Sequence, residues 1–266
     1  MLSLLSLKKG WDKTSAHYQG KMRIPTNDVY WGEFVASEKK LGILGDVRGK
    51  RILEIGCGSA QNSIALAKWG AHVCAVDFSR MQVRHAHRLA KTDDVEVGLS
   101  VGDMNKLPFR NETFDMVITA VSLQYVQDLV VAFSEVNRVL PGSGHFVFSG
   151  MHPLSQGKLA RYRGRPVVAV SGYFRRRTIR WSEMLENGTK VRMYEYYRTL
   201  RDYFEALAEN GFVIERYLEL ERSGKCALHP LDIEDIRRRP DARELYTLMK
   251  EVPYWFVLKA RKELPD

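Results

Sequence analysis

The sequence predicts an α/β protein with a doubly wound, mostly parallel seven-stranded sheet and an inserted cap of antiparallel strands. Short β-branched runs alternate with longer amphipathic segments over most of the 266 residues, which is typical of a parallel sheet covered by helices. A glycine-rich turn follows the first of these runs, and a basic stretch over 152–198 interrupts the alternation. The composition, 45% hydrophobic and 27% charged, is that of a folded globular chain.

Seven runs predict the strands of the sheet, and the segments between them predict its helices. This spacing fits right-handed βαβ crossovers. Strands are expected at RILEI (51–55), HVCAV (72–76), VEVGLSV (95–101), FDMVIT (114–119), HFVFS (145–149), FVIERYLEL (212–220) and YWFVLKARK (254–262). Helices are expected at QNSIALAKWG (61–70), SRMQVRHAHRLA (79–90), LVVAFSEVNRVL (129–140), TLRDYFEALAENG (199–211) and over 232–250.

The chain divides into three predicted parts. Residues 1–45 are rich in large aromatic side chains and predict a helical lid. The ranges 46–151 and 199–266 together predict the α/β core. The range 152–198 predicts an inserted cap, because its strand-like pieces VVAVSGYF, TIRWSEML and KVRMYEYY break the α/β alternation.

The composition excludes several classes of protein. No apolar run approaches the roughly 20 residues that cross a bilayer, and the N-terminal stretch does not match a signal peptide, so we expect a cytoplasmic protein. Cys57, Cys74 and Cys226 are too scattered for a disulfide framework or a zinc site and are expected as reduced thiols. His85 and His87 would point to different faces of a helix, so we expect no metal.

The chain carries a net charge of +9. Arginine clusters of this kind can bind phosphate or nucleic acid, but a solvated surface is the commoner explanation. A nucleic-acid partner is therefore an alternative that we do not favour. Much of the excess lies in Arg161, Arg163, Arg165 and the runs 175–177 and 237–239.

The stretch ILEIGCGSA, residues 52–60, predicts a ligand site at the end of the first strand. Gly56 and Gly58 would let the backbone turn sharply and approach a ligand with no Cβ in the way. The dinucleotide fingerprint requires a third glycine three positions later, where this chain has Gln61. The NAD interpretation is weakened accordingly.

Acidic residues stand at the carboxyl ends of the first three strands, where open α/β sheets bind their ligands. Asp77 can accept hydrogen bonds from both hydroxyls of a ribose, and Asp103 from the exocyclic amine of adenine. Glu54 supplies negative potential for a cationic tail. A ligand with adenine, ribose and a zwitterionic tail fits this set, and S-adenosylmethionine is such a ligand.

The chain resembles the class I S-adenosylmethionine-dependent methyltransferases, in particular the ubiquinone-biosynthesis and small-molecule group. The matching stretches are LEIGCGSAQNSIALAKWGAHVCAVDFS, GDMNKLPFRNETFDMVIT, LQYVQDL and EVNRVLPGSGHFVFSGMHP. The resemblance is strong over 50–155 and weaker over 198–261, and it implies a Rossmann-like methyltransferase fold. Ala60 departs from the family, which usually has a third glycine there. The cofactor contacts that the resemblance implies are Glu54, Gly56, Gly58, Asp77, Phe78, Asp103, Met104 and Ala120.

Methyl transfer from a sulfonium requires mainly that an acceptor is held in line with the S–CH3 bond and that water is excluded. A general base is needed only when the acceptor must lose a proton. His152 follows the fifth strand and is the first candidate for that base, since an imidazole titrates near neutrality. Gln124 and Tyr125, after the fourth strand, are expected to contact acceptor or cofactor, and Tyr18 and Trp31 to belong to the lid.

The sequence leaves the acceptor open. Enzymes that methylate exocyclic amines of bases usually carry an Asn/Asp-Pro-Pro-aromatic tetrad after the fourth strand, but residues 119–125 read TAVSLQY. We therefore favour an S-adenosylmethionine-dependent methyltransferase acting on an O, N or C atom of a small molecule, with 152–198 forming much of the acceptor pocket. One alternative is an RNA or protein methyltransferase that uses the basic surface. Another is a non-catalytic S-adenosylmethionine-binding sensor or partner subunit.

Overall fold

The structure, a computed structural model, describes residues 3–33, 35–156, 158–221 and 251–264. Three sequence expectations lie outside the described residues: the helix over 232–250, the arginine run 237–239 and Cys226. The helices are α1 (Leu4–Met22), α2 (Glu38–Leu41), α3 (Gln61–Lys68), α4 (Arg80–Thr92), α5 (Leu129–Val139) and α6 (Leu200–Glu209). The strands are β1 (Arg51–Ile55), β2 (His72–Asp77), β3 (Gly98–Val101), β4 (Met116–Thr119), β5 (His145–Met151), β6 (Lys158–Tyr162), β7 (Arg165–Ala169), β8 (Thr178–Met184), β9 (Lys190–Tyr196), β10 (Phe212–Leu220) and β11 (Trp255–Lys262).

Seven strands form one sheet in the order β10-β11-β5-β4-β1-β2-β3. The five strands from β5 to β3 run parallel, and β11 lies antiparallel between β5 and β10. The predicted fold class is confirmed. The strand order reverses between β1 and β4, and a crevice for ligands opens at such a switch point, at the carboxyl ends of the strands.

Alternating side chains of the central strands fill two hydrophobic cores, one on each face of the sheet. Leu53 and Phe146 enter the core that α5 and α6 cover. Their neighbours Ile52 and Val147 enter the second core, which contains residues of α3 and the fully buried Trp31. Helices on both faces hold the sheet rigid, which fixes the positions of the loops at its carboxyl edge.

Strands β3 and β4 begin two or more residues later than the sequence predicts, because the predicted first residues bond to the ends of neighbouring helices. The backbone N–H of Val95 donates to the carbonyl of Ala90 at the end of α4 (3.1 Å), so β3 starts at Gly98. The N–H of Phe114 donates to Val139 at the end of α5 (3.1 Å). The short strand β4 starts only at Met116 for the same reason.

The inserted segment forms two antiparallel hairpins, β6–β7 and β8–β9. The second hairpin packs on α1, where Leu7 shares a buried cluster with Val191, Met193 and Tyr194 of β9. Glu183 on β8 accepts hydrogen bonds from two side chains of α1, at 2.9 and 3.1 Å. This pairing of α1 with β8–β9 covers one end of the sheet. None of the described helices is long and apolar enough to cross a bilayer.

Candidate functional site

A large cavity lies at the carboxyl ends of β1, β2 and β4, with an empty volume of about 1260 Å³, part of it open to solvent. The loops after these strands and after β3 form its floor, and α1 and β9 supply its other walls. The cavity brings together ten of the residues predicted to be functional. They are Tyr18, Glu54, Gly56, Gly58, Asp77, Phe78, Asp103, Met104, Ala120 and Tyr125.

The turn after β1 is held against β2 by its backbone. The N–H groups of Gly56 and Cys57 both donate to the carbonyl of Val76, at 2.8 and 3.1 Å. Gly56 and Gly58 have left-handed backbone angles, with φ of 65° and 55°. A Cβ on Gly56 would lie 2.7 Å from the Cβ of Ser122. The glycine is therefore required by both the torsion and the close approach of the loop after β4.

Ala60 also has a left-handed backbone, with φ of 59°, at the position before α3. An L-residue in this region has its Cβ close to the backbone, which costs about 1–2 kcal/mol relative to the right-handed form. The methyl group at this position is thus accommodated with strain, and the glycine that the family usually has there would be relaxed.

Asp77 ends β2 and links it to the two neighbouring turns. One carboxylate oxygen accepts from the N–H of Gly58 at 2.9 Å, and the other from the N–H of Ser79 at 2.8 Å. Each oxygen keeps a second acceptor site. Burial raises the pKa of this carboxyl to about 6. The side chain is thus fixed in orientation and can accept further hydrogen bonds from a ligand in the cavity.

Glu54 is buried at the end of β1, beneath the glycine turn. Its Oε2 accepts from the backbone N–H of Ser63 at 3.0 Å and from the Ser63 hydroxyl at 2.5 Å. Burial is the main reason that its pKa is raised, to about 7. A nearby cation would favour the charged form, so this carboxylate suits the ammonium group of a ligand.

The loop after β3 presents Asp103 and Met104 to the cavity. Asn105 orients the Asp103 carboxylate, because its backbone N–H and its side-chain amide each donate to Oδ1 at 2.9 Å. Phe78, after β2, lines the same cavity. An acidic acceptor with an aromatic ring and a thioether nearby is an arrangement that suits a planar base with an exocyclic amine.

Helix α1 is bonded to the first residue of α3 and to the start of α4 through polar side chains that the sequence analysis missed. Gln19 donates to the Oε1 of Gln82 at 3.0 Å and accepts from Gln61 at 2.6 Å. Asp12 accepts from the hydroxyl of Ser79 at 2.7 Å and from the N–H of Met81 at 3.1 Å. The seven-residue spacing of Asp12 and Gln19, which places both on one helix face, is the signal that could have found them.

Five aromatic side chains, which we call the cavity aromatics, line the cavity beneath α1 and β9: Trp11, Tyr18, Tyr125, Tyr194 and Tyr196. The ring of Trp11 meets Tyr18 and Tyr125 edge to face, with centroids 5.3 Å apart in both pairs and interplanar angles of 87° and 82°. Burial raises the pKa of both of these tyrosines. Their hydroxyls therefore remain protonated at neutral pH.

Three predicted residues do not line the cavity. Strand β5 continues to Met151 beside β11, two residues further than predicted, and the N–H of His152 donates to Tyr254 (2.9 Å). The imidazole is buried, with Nδ1 accepting from Leu154 (3.2 Å) and Nε2 3.1 Å from a carboxylate oxygen of Glu219. Burial lowers its pKa. Its position beside β10 and β11 does not support contact with reacting atoms, and its catalytic role stays a prediction.

Gln124 and Trp31 also do not line the cavity. The amide of Gln124 donates to the carbonyl of Val121 at 3.0 Å and stabilises the turn after β4. Trp31 is fully buried in the second core and donates to a carboxylate oxygen of Glu38 at 2.9 Å. Within the described ranges, no group of three or more His, Cys, Asp or Glu side chains is placed to hold a metal ion.

Residues 53–148 match the model of a methyltransferase domain. Over 105 residues the chain is 36% identical to demethylmenaquinone methyltransferase of Streptomyces avermitilis, covering 39% of this chain and 44% of that protein. It is 34% identical over 107 residues to norajmaline N-methyltransferase of Rauvolfia serpentina, covering 39% of this chain and 37% of that protein. The chain thus spans less than half the length of these curated relatives.

Several solved structures are similar to this chain over most of their length, and one of them illustrates the likeness. The S-adenosylmethionine-dependent methyltransferase from Mesorhizobium loti is 25% identical, with a TM-score of 0.62, and the match covers 84% of this chain and 95% of that chain. The sheet order, the glycine turn with its acidic residues and the matched domain agree with this similarity. The chain therefore carries a methyltransferase domain over residues 53–148, in a fold similar to that of an S-adenosylmethionine-dependent methyltransferase.

Proposed function

We propose that this protein transfers a methyl group from S-adenosylmethionine to an O, N or C atom of a small molecule. One observation carries the proposal: the glycine turn after β1 meets Asp77 and Asp103 in a single cavity. These groups match the tail, the ribose and the adenine of that cofactor in the order in which the strands present them. The two curated relatives described above are named for small-molecule acceptors, which supports an acceptor of the same class.

The residues of the cavity fit the cofactor. Above Gly58, only Gln82 Oε1 lies within 4 Å of where a Cβ would stand, at 3.9 Å, so this part of the turn leaves space for the backbone to approach a ligand. Glu54, Gly56 and Gly58 would hold the methionine part, with the Glu54 carboxylate facing its ammonium group. Asp77 would accept from the ribose hydroxyls. The adenine would be held by Asp103, Met104 and Phe78, with Ala120 near the loop after β4.

When bound, the cofactor supplies a methyl group that its sulfonium sulfur has already activated toward nucleophiles. The chain therefore has to position an acceptor and exclude water. Helix α1 and the β8–β9 hairpin perform the second task, because they close the cavity and pack together through Leu7 and Tyr194. This packing supports α1 as the lid and the inserted cap as part of the acceptor wall.

The cavity aromatics line the part of the cavity that α1 and β9 cover, and the acceptor would lie there beside the cofactor. Tyr18 and Tyr125 remain protonated, so they would orient the acceptor as hydrogen-bond donors and not as bases. This arrangement supports a mechanism in which the chain positions the acceptor, and a proton is transferred only where the acceptor requires it.

Calorimetric titration with S-adenosylhomocysteine tests the proposal. Asp77→Ala should weaken binding by about 1–3 kcal/mol, because it leaves ribose hydroxyls unpaired. Gly58→Val should abolish binding, because the branched side chain would intrude on the ligand, and should lower the melting temperature by a few degrees, because valine is strained at φ of 55°, while the chain stays folded. Asp93→Ala, at an ion pair with Lys68 outside the cavity, is the matched control. Wild-type affinity in both cavity variants would contradict the proposal.

A further inference from the structure

The cavity has a charge opposite to that of the chain. The chain has 41 lysines and arginines and a net charge of +9. Yet the described residues that line the cavity include no lysine, arginine or histidine, and they include the carboxylates of Glu54, Asp77 and Asp103. A cleft lined with one sign of charge concentrates ligands of the opposite sign. Anionic acceptors are disfavoured here, and cationic or neutral ones are favoured.

The cavity aromatics have the geometry of a box for a cation. Trp11 stands nearly perpendicular to Tyr18 and to Tyr125, so the three rings form adjoining walls. Tyr194 and Tyr196 extend the wall from β9, with their ring centroids 5.7 Å apart. The negative faces of such rings attract alkylammonium groups, and tryptophan is the strongest of them. Core packing alone would not require these rings to line an empty volume.

We propose that the acceptor is an amine, held with its nitrogen against Trp11, Tyr18 and Tyr125 at the end of the cavity beyond the cofactor. The amine proposal rests on the proposed function, which supplies the cofactor, and it narrows the methylated atom from O, N or C to nitrogen. The amine arrives as an ammonium ion and releases one proton to bulk water while the cavity is still open to solvent. Its lone pair then forms the N–CH3 bond, the C–S bond breaks, and the electron pair of that bond stays on sulfur.

The same rings would stabilise the transition state. Positive charge leaves the sulfur and appears on the nitrogen as the methyl group moves, so the total charge of the reacting atoms stays positive. An aromatic wall keeps its attraction for that charge throughout and imposes no proton-transfer step of its own. The methylated product is also a cation and contacts the same aromatic rings.

The test uses two unreactive probes of equal shape, phenyltrimethylammonium and tert-butylbenzene. Each is titrated against the full chain, with and without saturating S-adenosylhomocysteine. The cation should bind at least tenfold more tightly than the neutral isostere. Trp11→Leu should reduce cation binding about 2- to 30-fold and leave tert-butylbenzene nearly unchanged. Phe174→Leu is the matched control, since Phe174 is 80% exposed and lies outside the cavity.

Two outcomes would overturn the amine assignment. One is equal binding of the two probes by the wild-type chain. The other is a loss of affinity for S-adenosylmethionine in Trp11→Leu without a change for S-adenosylhomocysteine, because this would assign the rings to the sulfonium of the cofactor. Failure to bind S-adenosylhomocysteine contradicts the proposed function instead, and the comparison of the two probes on the free chain remains a separate result.

Discussion

At the scale of single residues, His152 shows how one extra pair of residues in a strand changes a functional assignment. The sequence places a histidine just after the fifth strand, where an open α/β sheet binds ligands. Residues 150 and 151 continue the pairing with β11, and the imidazole is carried past the cavity into contact with Glu219. No local pattern distinguishes a strand that ends at 149 from one that ends at 151.

We expect His152→Ala to lower stability more than activity. The change removes buried contacts to Leu154 and Glu219, which should cost about 1–3 kcal/mol of unfolding free energy. The turnover number should stay within a few-fold of wild type, because the imidazole does not line the cavity. Urea unfolding and steady-state kinetics measure the two effects. A 10²- to 10⁴-fold fall in turnover with unchanged stability would restore His152 as a general base.

Glu54 makes the stability of the ligand-free protein depend on pH. Its pKa is raised to about 7 in the folded state from an ordinary value of 4.5, so the folded state binds more protons between these values. The free energy of unfolding should therefore fall as pH rises from 4.5 to 7, by an amount on the order of 3 kcal/mol. Asp77, with its pKa raised to about 6, acts in the same direction.

The test variant is Glu54→Gln, and the control is Glu209→Gln, since Glu209 lies at the end of α6. Urea unfolding at pH 5, 6 and 7 should show a flatter pH dependence in Glu54→Gln and the wild-type slope in Glu209→Gln. Equal slopes in all three proteins would show that Glu54 is charged in the folded state throughout this range.

At the scale of elements, the strands and helices of the sheet could be predicted because each is specified by its own side chains. The sequence analysis places β1 and β10 at their observed bounds, since both are β-branched or apolar runs between breakers. The late starts of β3 and β4 could not be predicted, because their first residues form hydrogen bonds to the ends of α4 and α5 in place of strand pairing, and no local residue pattern specifies that choice.

The residues of the site likewise divide into those that the local sequence predicts and those that it does not. The turn at Gly56 and the acidic residues after β1, β2 and β3 depend on local sequence, and the structure brings them into one cavity as expected. The contribution of α1 and β9 to the walls depends on how those elements dock. Trp11 and Tyr196 could not be assigned for that reason, and neither could the position of Trp31 in the core.

Gln19 should control how firmly α1 closes the cavity. Gln19→Ala removes its bonds to Gln82 and Gln61, and two neutral hydrogen bonds are worth about 1–3 kcal/mol together. We expect the dissociation rate of S-adenosylhomocysteine to rise about 5-fold or more, with little change in melting temperature. Stopped-flow displacement measures the rate. Lys13→Ala, on the same helix, is the control, and an equal effect in both variants would contradict a specific role for Gln19.

At the scale of the whole molecule, the excess positive charge and the cavity are separate features. The clusters Arg161, Arg163 and 175–177 lie in the inserted segment, and no basic side chain among the described residues lines the cavity. We expect methyl transfer to small amines to change less than about threefold between 50 and 200 mM salt. A polyanionic acceptor contacting 6–10 basic groups would lose about 10³- to 10⁵-fold in affinity over that range. Kinetics at both salt concentrations distinguish the two.

The docking of α1 has a consequence for the order of folding. This helix finds its partners far along the chain: Gln19 bonds to Gln61 and Gln82, 42 and 63 residues away, and His17 bonds to Glu183, 166 residues away. Contacts of such long sequence separation form late, because a large loop must close first. Helix α1 is synthesised before the β8–β9 hairpin and cannot complete its docking until that hairpin has formed. Until then the apolar side of α1 is exposed and is a surface that chaperones can recognise.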